Sequence, residues 1–346
     1  MKSSGNGQTH KKIRGGLTVS KKDSHLLSSA EVSQLWGSYM GESSQVCMFS
    51  YFLKIAEDKQ TKDIVEFAYH TSVRQLDEIK KIFKSEGRAI PHGFHVEEDI
   101  SPTAKKVYTD DFILEYIHQF ARMGLRAHGI NLSVVQRQDC MDYYKKCLTD
   151  AMKLYEMLVE LLTLKGKYQS LPEVPPAKEV DYIQRQSFLS GFLGDNRPLT
   201  APEITNLYAN FHRNALGAGL MIGFLPSTRS EEVKKYLIRG KEIAEKHCEI
   251  FQAYLKDNDL YASLHWDKEV IPQDLKVFSE KLMMFIASAL TSAGIGFYGL
   301  GLGTSYRRDL GVSYNRLLGE IELYAEDGTN IMIDKGWLES PPKMRV

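Results

Sequence analysis

The stretch Leu282 to Tyr306, LMMFIASALTSAGIGFYGLGLGTSY, carries no charged residue over twenty-five positions. Roughly 20 apolar residues cross a bilayer core, so length and apolarity alone describe a membrane-spanning helix. An earlier stretch removes that reading. Phe112 to Gln136, FILEYIHQFARMGLRAHGINLSVVQ, registers on the later one at a shift of 170 positions. Met123-Gly124 falls on Ala293-Gly294, His128-Gly129 on Tyr298-Gly299, and Arg137-Gln138-Asp139 on Arg307-Arg308-Asp309. The earlier copy holds Glu115, His118, Arg122, Arg126 and His128, a set that cannot span a membrane. Copies of one unit share one kind of environment. The uncharged copy is therefore expected to be the most buried helix of a bundle, with no membrane span, because a helix apolar all round is either core or membrane.

The duplication runs through the whole chain. Leu27-Ser28-Ser29-Ala30-Glu31 recurs as Leu199-Thr200-Ala201-Pro202-Glu203 at a shift of 172. Each reads as a helix start; in the first, Ser28 or Ser29 can cap the helix, with Glu31 returning the capping-box bond. Val32, Leu35, Trp36, Tyr39, Val46 and Leu53 then repeat at helical spacing. A second helix is expected from Lys62 to Ser85 and closes at Glu86-Gly87. The connection at Ile90-Pro91-His92-Gly93-Phe94 is extended and crosses the bundle end. A third helix covers Asp110 to Gln136, and Asp139 caps a fourth that ends at Lys165-Gly166. In the second copy Pro202 sits in a first turn, where proline is tolerated. Pro226 ends helix one, Ser230 to Lys256 forms helix two, and His265-Trp266 falls on Gly93-Phe94. No stretch alternates as a strand. The predicted fold is all-α: two tandem ferritin-like four-helix bundles, each with a crossover between helices two and three. The divisions are a disordered basic tail at 1–26, a first bundle at 27–176, a connector at 177–198 and a second bundle at 199–346. Phe188 and Phe192 lead us to expect a connector packed against the bundles.

Charge and cysteine usage narrow the function. Lys and Arg number 44, as do Asp and Glu, so no global basic field points to nucleic acid. Cys47, Cys140, Cys147 and Cys248 make no paired motif and read as core residues of a reduced, cytoplasmic protein. The basic tail lacks the apolar run of a secretory signal.

Five stretches carry a resemblance: SFLSGFLGDNRPLTAPEITNLY, YLIRGKEIAEKHCEIF, FSEKLMMF, AGIGFYGLGLGTSYRRDL and YAEDGTNIMIDKGWLESPP. With them, over residues 27–342, the chain resembles a two-repeat ferritin-like family of endospore-forming Firmicutes, similar to spore coat protein F. The resemblance implies a helical-bundle structural or binding protein without an assigned activity. It also implies association with the spore and a protein partner among coat components.

A ferritin-like bundle raises a dinuclear iron or manganese site, which needs a Glu from each of two helices and Glu-x-x-His from each of the others. In the first repeat the inward candidates are Glu42, Gln75, His128 and, on helix four, Asp150 and Glu156. In the second, Asn214 stands where Glu42 does and His247 where Gln75 does, joined by Tyr298 and Glu320. Neither repeat supplies the ligand count. No metal is expected; the alternative is a degenerate ferritin-like metal-binding protein or oxidase using His247 with Glu320, or Glu42 with His128. His247 reads instead as a core imidazole bonded to Glu320 or Tyr298. Arg137 with Asp139 and Arg307 with Asp309 read as structural, the aspartate capping helix four and the arginine pairing at that corner. The glycines Gly217, Gly219 and Gly223 and those from Gly294 to Gly303 are expected where helices one and three approach closely. GLGLG follows no strand, so it is not a dinucleotide loop.

Overall fold

The computed structural model describes residues 26–192, 197–262, 266–271 and 276–343. The basic tail, His265 and the turn at Gly194-Asp195-Asn196 lie outside the described residues. Among the described residues nine α-helices form: α1 (Ser29–Ile55), α2 (Lys59–Ser85), α3 (Val96–Asp99), α4 (Asp110–Val134), α5 (Gln138–Leu164), α6 (Ala201–Phe224), α7 (Glu231–Lys256), α8 (Glu280–Thr304) and α9 (Arg308–Asp334). The two halves have the same order, and the short α3 is answered 170 positions on by a helical turn, Trp266–Glu269. In each half the first long helix packs on the second and the third on the fourth. The fold is all-α and built from two repeats.

Local chemistry sets the helix ends. Ser28 and Thr200 are N-caps with complete capping boxes to Glu31 and Glu203. Gly166 and Gly336, both at φ +66°, close α5 and α9 in the left-handed conformation that glycine adopts freely. The entry to the fourth helix departs from expectation. Asp139 and Asp309 are not the caps: Arg137 and Arg307 hold those positions, and the aspartates lie inside the first turn. The free N–H groups there are taken from afar. Glu31 Oε1 accepts from the backbone of Gln136 at 3.1 Å and Arg137 at 2.7 Å. Glu203 Oε1 does the same for Tyr306 at 3.1 Å and Arg307 at 3.2 Å. Asp139 and Asp309 instead hold their arginines in two-bonded forks, at 2.7 and 2.7 Å and at 3.1 and 2.6 Å.

The two crossovers meet each other. Ile100 bridges Phe278 and Tyr108 bridges Val270, both antiparallel. These two bridges exchange under the 170-residue shift, since Ile100 corresponds to Val270 and Tyr108 to Phe278. The backbone bonds obey the same relation. Ser101 N–H donates to Val277 O at 2.9 Å and Ile271 N–H to Val107 O at 2.7 Å. Ser279 N–H donates to Asp99 O at 2.8 Å and Thr109 N–H to Glu269 O at 3.0 Å. Ser279 Oγ on Asp99 and Thr109 Oγ1 on Glu269, both 2.5 Å, complete the pattern. The repeats are thus related by a pseudo-two-fold axis through the crossovers, an isologous contact within one chain.

One apolar core spans this junction. Tyr51, Phe52, Tyr108 and Phe112 pack with Leu220, Phe224 and Phe278, all essentially without solvent contact. Large and small residues exchange across the axis. Tyr51 touches Phe278 edge-on at 4.9 Å, and at the related position Gly223 leaves room for the Tyr108 ring. A Cβ at Gly223 would stand 2.2 Å from the Tyr108 hydroxyl. Gly301 makes the same kind of room for Tyr314. Helices one and three of the second repeat, α6 and α8, do come close, closer than α1 and α4, but Gly223 and Gly301 do more than allow that approach. They seat tyrosine rings, whereas Gly217, Gly296, Gly299 and Gly303 face open space.

Two further expectations change. α8 is not the most buried helix. Its first half, with Leu282, Met283, Met284, Ile286 and Ala287, lies in the core, whereas most of its second half is partly or fully exposed. It remains long and apolar enough to cross a membrane by length and composition. The connector does not pack along its length: residues 177–187 are exposed, including Val180, Tyr182 and Ile183. Only its end packs: the Arg197 guanidinium lies 4.0 Å over the Phe188 ring, and Gly191 abuts Asp309 so closely that a Cβ there would clash. A run rich in charge and without helical spacing has no apolar face to bury.

Glu203 makes the corner sensitive to acid. Burial works against its ionisation, but bonds from Arg197, Thr200 and Arg307 outweigh that and bring its pKa from 4.5 to about 2. A folded pKa below the unfolded one adds stability that is complete above pH 4.5 and lost as pH falls toward 2. The increment is up to about 3 kcal/mol for a shift of this size. Glu203→Gln is expected to be less stable than the parent at neutral pH, with the gap closing between pH 4.5 and 2. Urea unfolding across that range checks it, and a gap independent of pH would refute it.

Candidate ligand cavity in the first repeat

Each long helix contributes one buried or half-buried polar residue to the middle of its repeat. In the second repeat these are Asn214 from α6, His247 from α7, Tyr298 from α8 and Glu320 from α9. Positions 172 or 170 earlier hold Glu42, Gln75, His128 and Asp150, from α1, α2, α4 and α5. The two quartets occupy corresponding places and have opposite hydrogen-bonding states.

The second quartet is closed. His247 Nδ1 lies 2.8 Å from the Tyr298 hydroxyl and Nε2 3.1 Å from Glu320. Asn214 Nδ2 donates to Tyr298 at 2.8 Å, and Lys246 Nζ holds both Glu320 oxygens at 2.8 and 2.9 Å. A carboxylate accepts only, so the imidazole donates from Nε2 and receives the tyrosine proton at Nδ1. Burial lowers the His247 pKa despite Glu320, which keeps the ring neutral. His247 is fully enclosed and bonded on both nitrogens, as a core imidazole requires.

The first quartet is open. Arg74 holds Asp150 at 2.7 Å, matching Lys246 on Glu320. Glu42 and His128, however, are buried, and Glu42 Oε2 and His128 Nδ1 have no hydrogen-bond partner. Tyr143, whose hydroxyl is also unpartnered, belongs to the same neighbourhood. Burial raises the Glu42 pKa to about 7 and lowers that of His128 to about 4. Both side chains line a cavity of about 360 Å³ between α1, α4 and α8. Its walls are mainly apolar, with Phe120, Met123, Phe285 and Ile286. A Cβ at Gly37 or Gly41 would meet nothing within 4 Å, so these glycines keep the α1 wall open. The related space in the second repeat, lined by Asn214, Arg213 and Tyr298, is only about 100 Å³.

Iron or manganese does not fit the residues present. Among the described residues no group of three His, Cys, Asp or Glu side chains converges. Glu320 is already neutralised by Lys246, and Glu42 with His128 supplies two donors where a stable site needs more. The sequence reading passed over a Glu-x-x-His spacing, Glu115 to His118, visible in α4. Those two side chains touch at 3.4 Å but face α6 across the junction, beside His212, rather than the quartet.

A repeated four-helix unit with a shared core and one polar quartet per repeat defines a duplicated helical-bundle protein. The family described as "Protein of unknown function (DUF3231)" matches residues 16–180 and again 187–346, so the chain belongs to it in both halves. The comparison with curated proteins returns no match. A crystal structure from Bacillus halodurans C-125, described as a "putative spore coat protein", is similar at 16% identity and a TM-score of 0.36. It covers 45% of this chain and 98% of its own.

The closed network sets an expectation for His247. His247→Gln substitutes the side chain that Gln75 supplies in the other repeat and is expected to cost roughly 1 kcal/mol, as for one neutral hydrogen bond. His247→Ala strands both Tyr298 and Glu320 beside a new void and is expected to cost about 3 kcal/mol. Urea denaturation of both variants measures this, and equal losses would contradict the network.

Proposed function

We propose that the protein is a non-enzymatic binding protein whose first repeat holds a small ligand with an apolar body and a hydrogen-bond-donating head. The contrast between the quartets carries this reading. One frame is closed by its own side chains, while its duplicate leaves a carboxyl and an imidazole unpartnered in the wall of a cavity. Orphaned buried polar atoms cost about 1–3 kcal/mol each, and a ligand head is what would satisfy them. A volume of about 360 Å³ lies within the range of small-molecule sites, about 300–1,000 Å³. Glu42, poised near pH 7, accepts from an alcohol or takes the charge of an amine, and neutral His128 offers a lone pair in one tautomer.

The resemblance described above extends the reading to a spore-associated protein with a coat partner. Detection of the chain in purified spores, and not only in vegetative cytoplasm, tests that part. We take α8 as a core helix rather than a span, because its first half lies in the shared core.

Calorimetric titration with octylamine, octanol and octanoate tests the cavity. The amine and the alcohol are expected to bind, and octanoate not, since it would set a second carboxylate against Glu42. Ionisation of Glu42 rises through pH 7, so octylamine affinity is expected to strengthen from pH 6 to 8. Glu42→Gln should remove that pH dependence, and Gly41→Leu should fill the cavity and abolish binding of both. Binding that is absent in the parent chain, or unchanged in Gly41→Leu, would overturn the proposal.

A further inference from the structure

Three arginines meet at the junction of the repeats, none of them in an ion pair among the described residues. Arg122 and Arg126 stand one turn apart on α4, and Arg213 comes from α6. Arg213 donates to Asn210 Oδ1 at 3.0 Å and stacks 3.5 Å over Phe297 of α8. Arg126 lies 4.6 Å over the same ring, so two guanidinium groups share Phe297. Burial, then repulsion from Arg126 and Arg122, brings the Arg213 pKa to about 9. Burial and Arg122 lower that of Arg126 as well. Like charges gathered in this way destabilise the folded chain unless an anion joins them.

Arg122 lines a pocket of about 370 Å³ between α4, the end of α5 and α6. Tyr155, Tyr168, Tyr208, His118 and His212 also line it. His118 stacks on Tyr155 with centroids 5.6 Å apart and planes 21° apart. His118 Nε2, on a side chain 9% exposed, has no hydrogen-bond partner. The one acid in the wall, Glu115, is already engaged by the Gln119 amide at 2.6 Å and by His118. Lys167 at the rim is paired with Asp111. Burial holds His212 near 4, so it adds no charge. None of this polarity is demanded by the fold. At the related positions Glu115, His118, Arg122 and Tyr155 are replaced by Phe285, Ser288, Ser292 and Ala325, and His212 by Met40.

We infer that this pocket binds a small planar molecule bearing an oxyanion, with Arg122 taking the oxyanion and the tyrosine and histidine rings enclosing the flat body. Guanidinium groups suit carboxylate and phosphate through paired hydrogen bonds. The site is separate from the cavity at Glu42, and neither reading rests on the other.

Calorimetry on the full chain at low salt, with AMP, benzoate, inorganic phosphate and adenosine as probes, tests the inference. At least one of AMP and benzoate is expected to bind about tenfold or more tightly than phosphate or adenosine. AMP alone identifies a nucleotide phosphate, and benzoate alone an aromatic carboxylate. Arg122→Gln is expected to weaken that binding at least about tenfold, while the thermal midpoint of the free protein holds or rises as repulsion is relieved. A fall in that midpoint with binding unchanged would assign Arg122 a structural role and overturn the inference. Failure of both AMP and benzoate to bind, or adenosine binding as tightly as AMP, would do the same.

Discussion

Everything in this molecule is arranged about the antiparallel pairing of its two crossovers. A crossover that runs through the interior carries backbone N–H and C=O groups that need partners away from water. No sheet supplies them here. Each crossover is the partner of the other, through two pairs of bonds that exchange under the repeat shift. That requirement places the repeats on a pseudo-two-fold axis and brings Tyr51, Tyr108, Phe224 and Phe278 into one core. It also sets α4 against α6 and α1 against α8, which is where both pockets form.

Once the frame is duplicated, one copy can keep it while the other changes. The second repeat closes its quartet with Tyr298, His247 and Glu320. The first places Glu42 and His128 at the same positions and leaves Glu42 Oε2 and His128 Nδ1 without partners. At the junction the two faces related by the axis diverge further, one carrying Glu115, His118 and Arg122 and the other Phe285, Ser288 and Ser292. Packing tolerates this because volume is traded across the axis, as when Gly223 accommodates the ring of Tyr108.

The buried acids make the electrostatic point. Glu203 and Glu42 are the same residue type, both shielded from solvent. Glu203 receives bonds from Thr200, Arg197 and the backbone of Tyr306 and Arg307 and stays ionised. Glu42 has an oxygen with no donor, and burial alone carries it to about 7. The number of donors each carboxylate meets, not its depth, separates a structural anchor from a group available to a ligand.

The sequence by itself determined the elements: two repeats, all-α, with capping boxes at Ser28 and Thr200, a glycine stop after α5 and α9, and a polar residue on each core face. Such signals act within a turn or two of chain, so they survive without tertiary knowledge. It also pointed to His247 with Tyr298 and Glu320, because an imidazole in an apolar stripe needs a partner. Only the tertiary structure decided who meets whom across a hundred residues or more. It gave the N-cap position of α5 to Arg137 rather than Asp139, with the backbone there held by Glu31, left half of α8 exposed, and seated tyrosine rings at Gly223 and Gly301. It turned Glu115 and His118 outward to α6, and it gathered Arg122, Arg126 and Arg213 from two helices into one cluster. Each of these depends on the pseudo-two-fold placement of the repeats, which rests on backbone bonds between the crossovers and leaves no side-chain pattern to read.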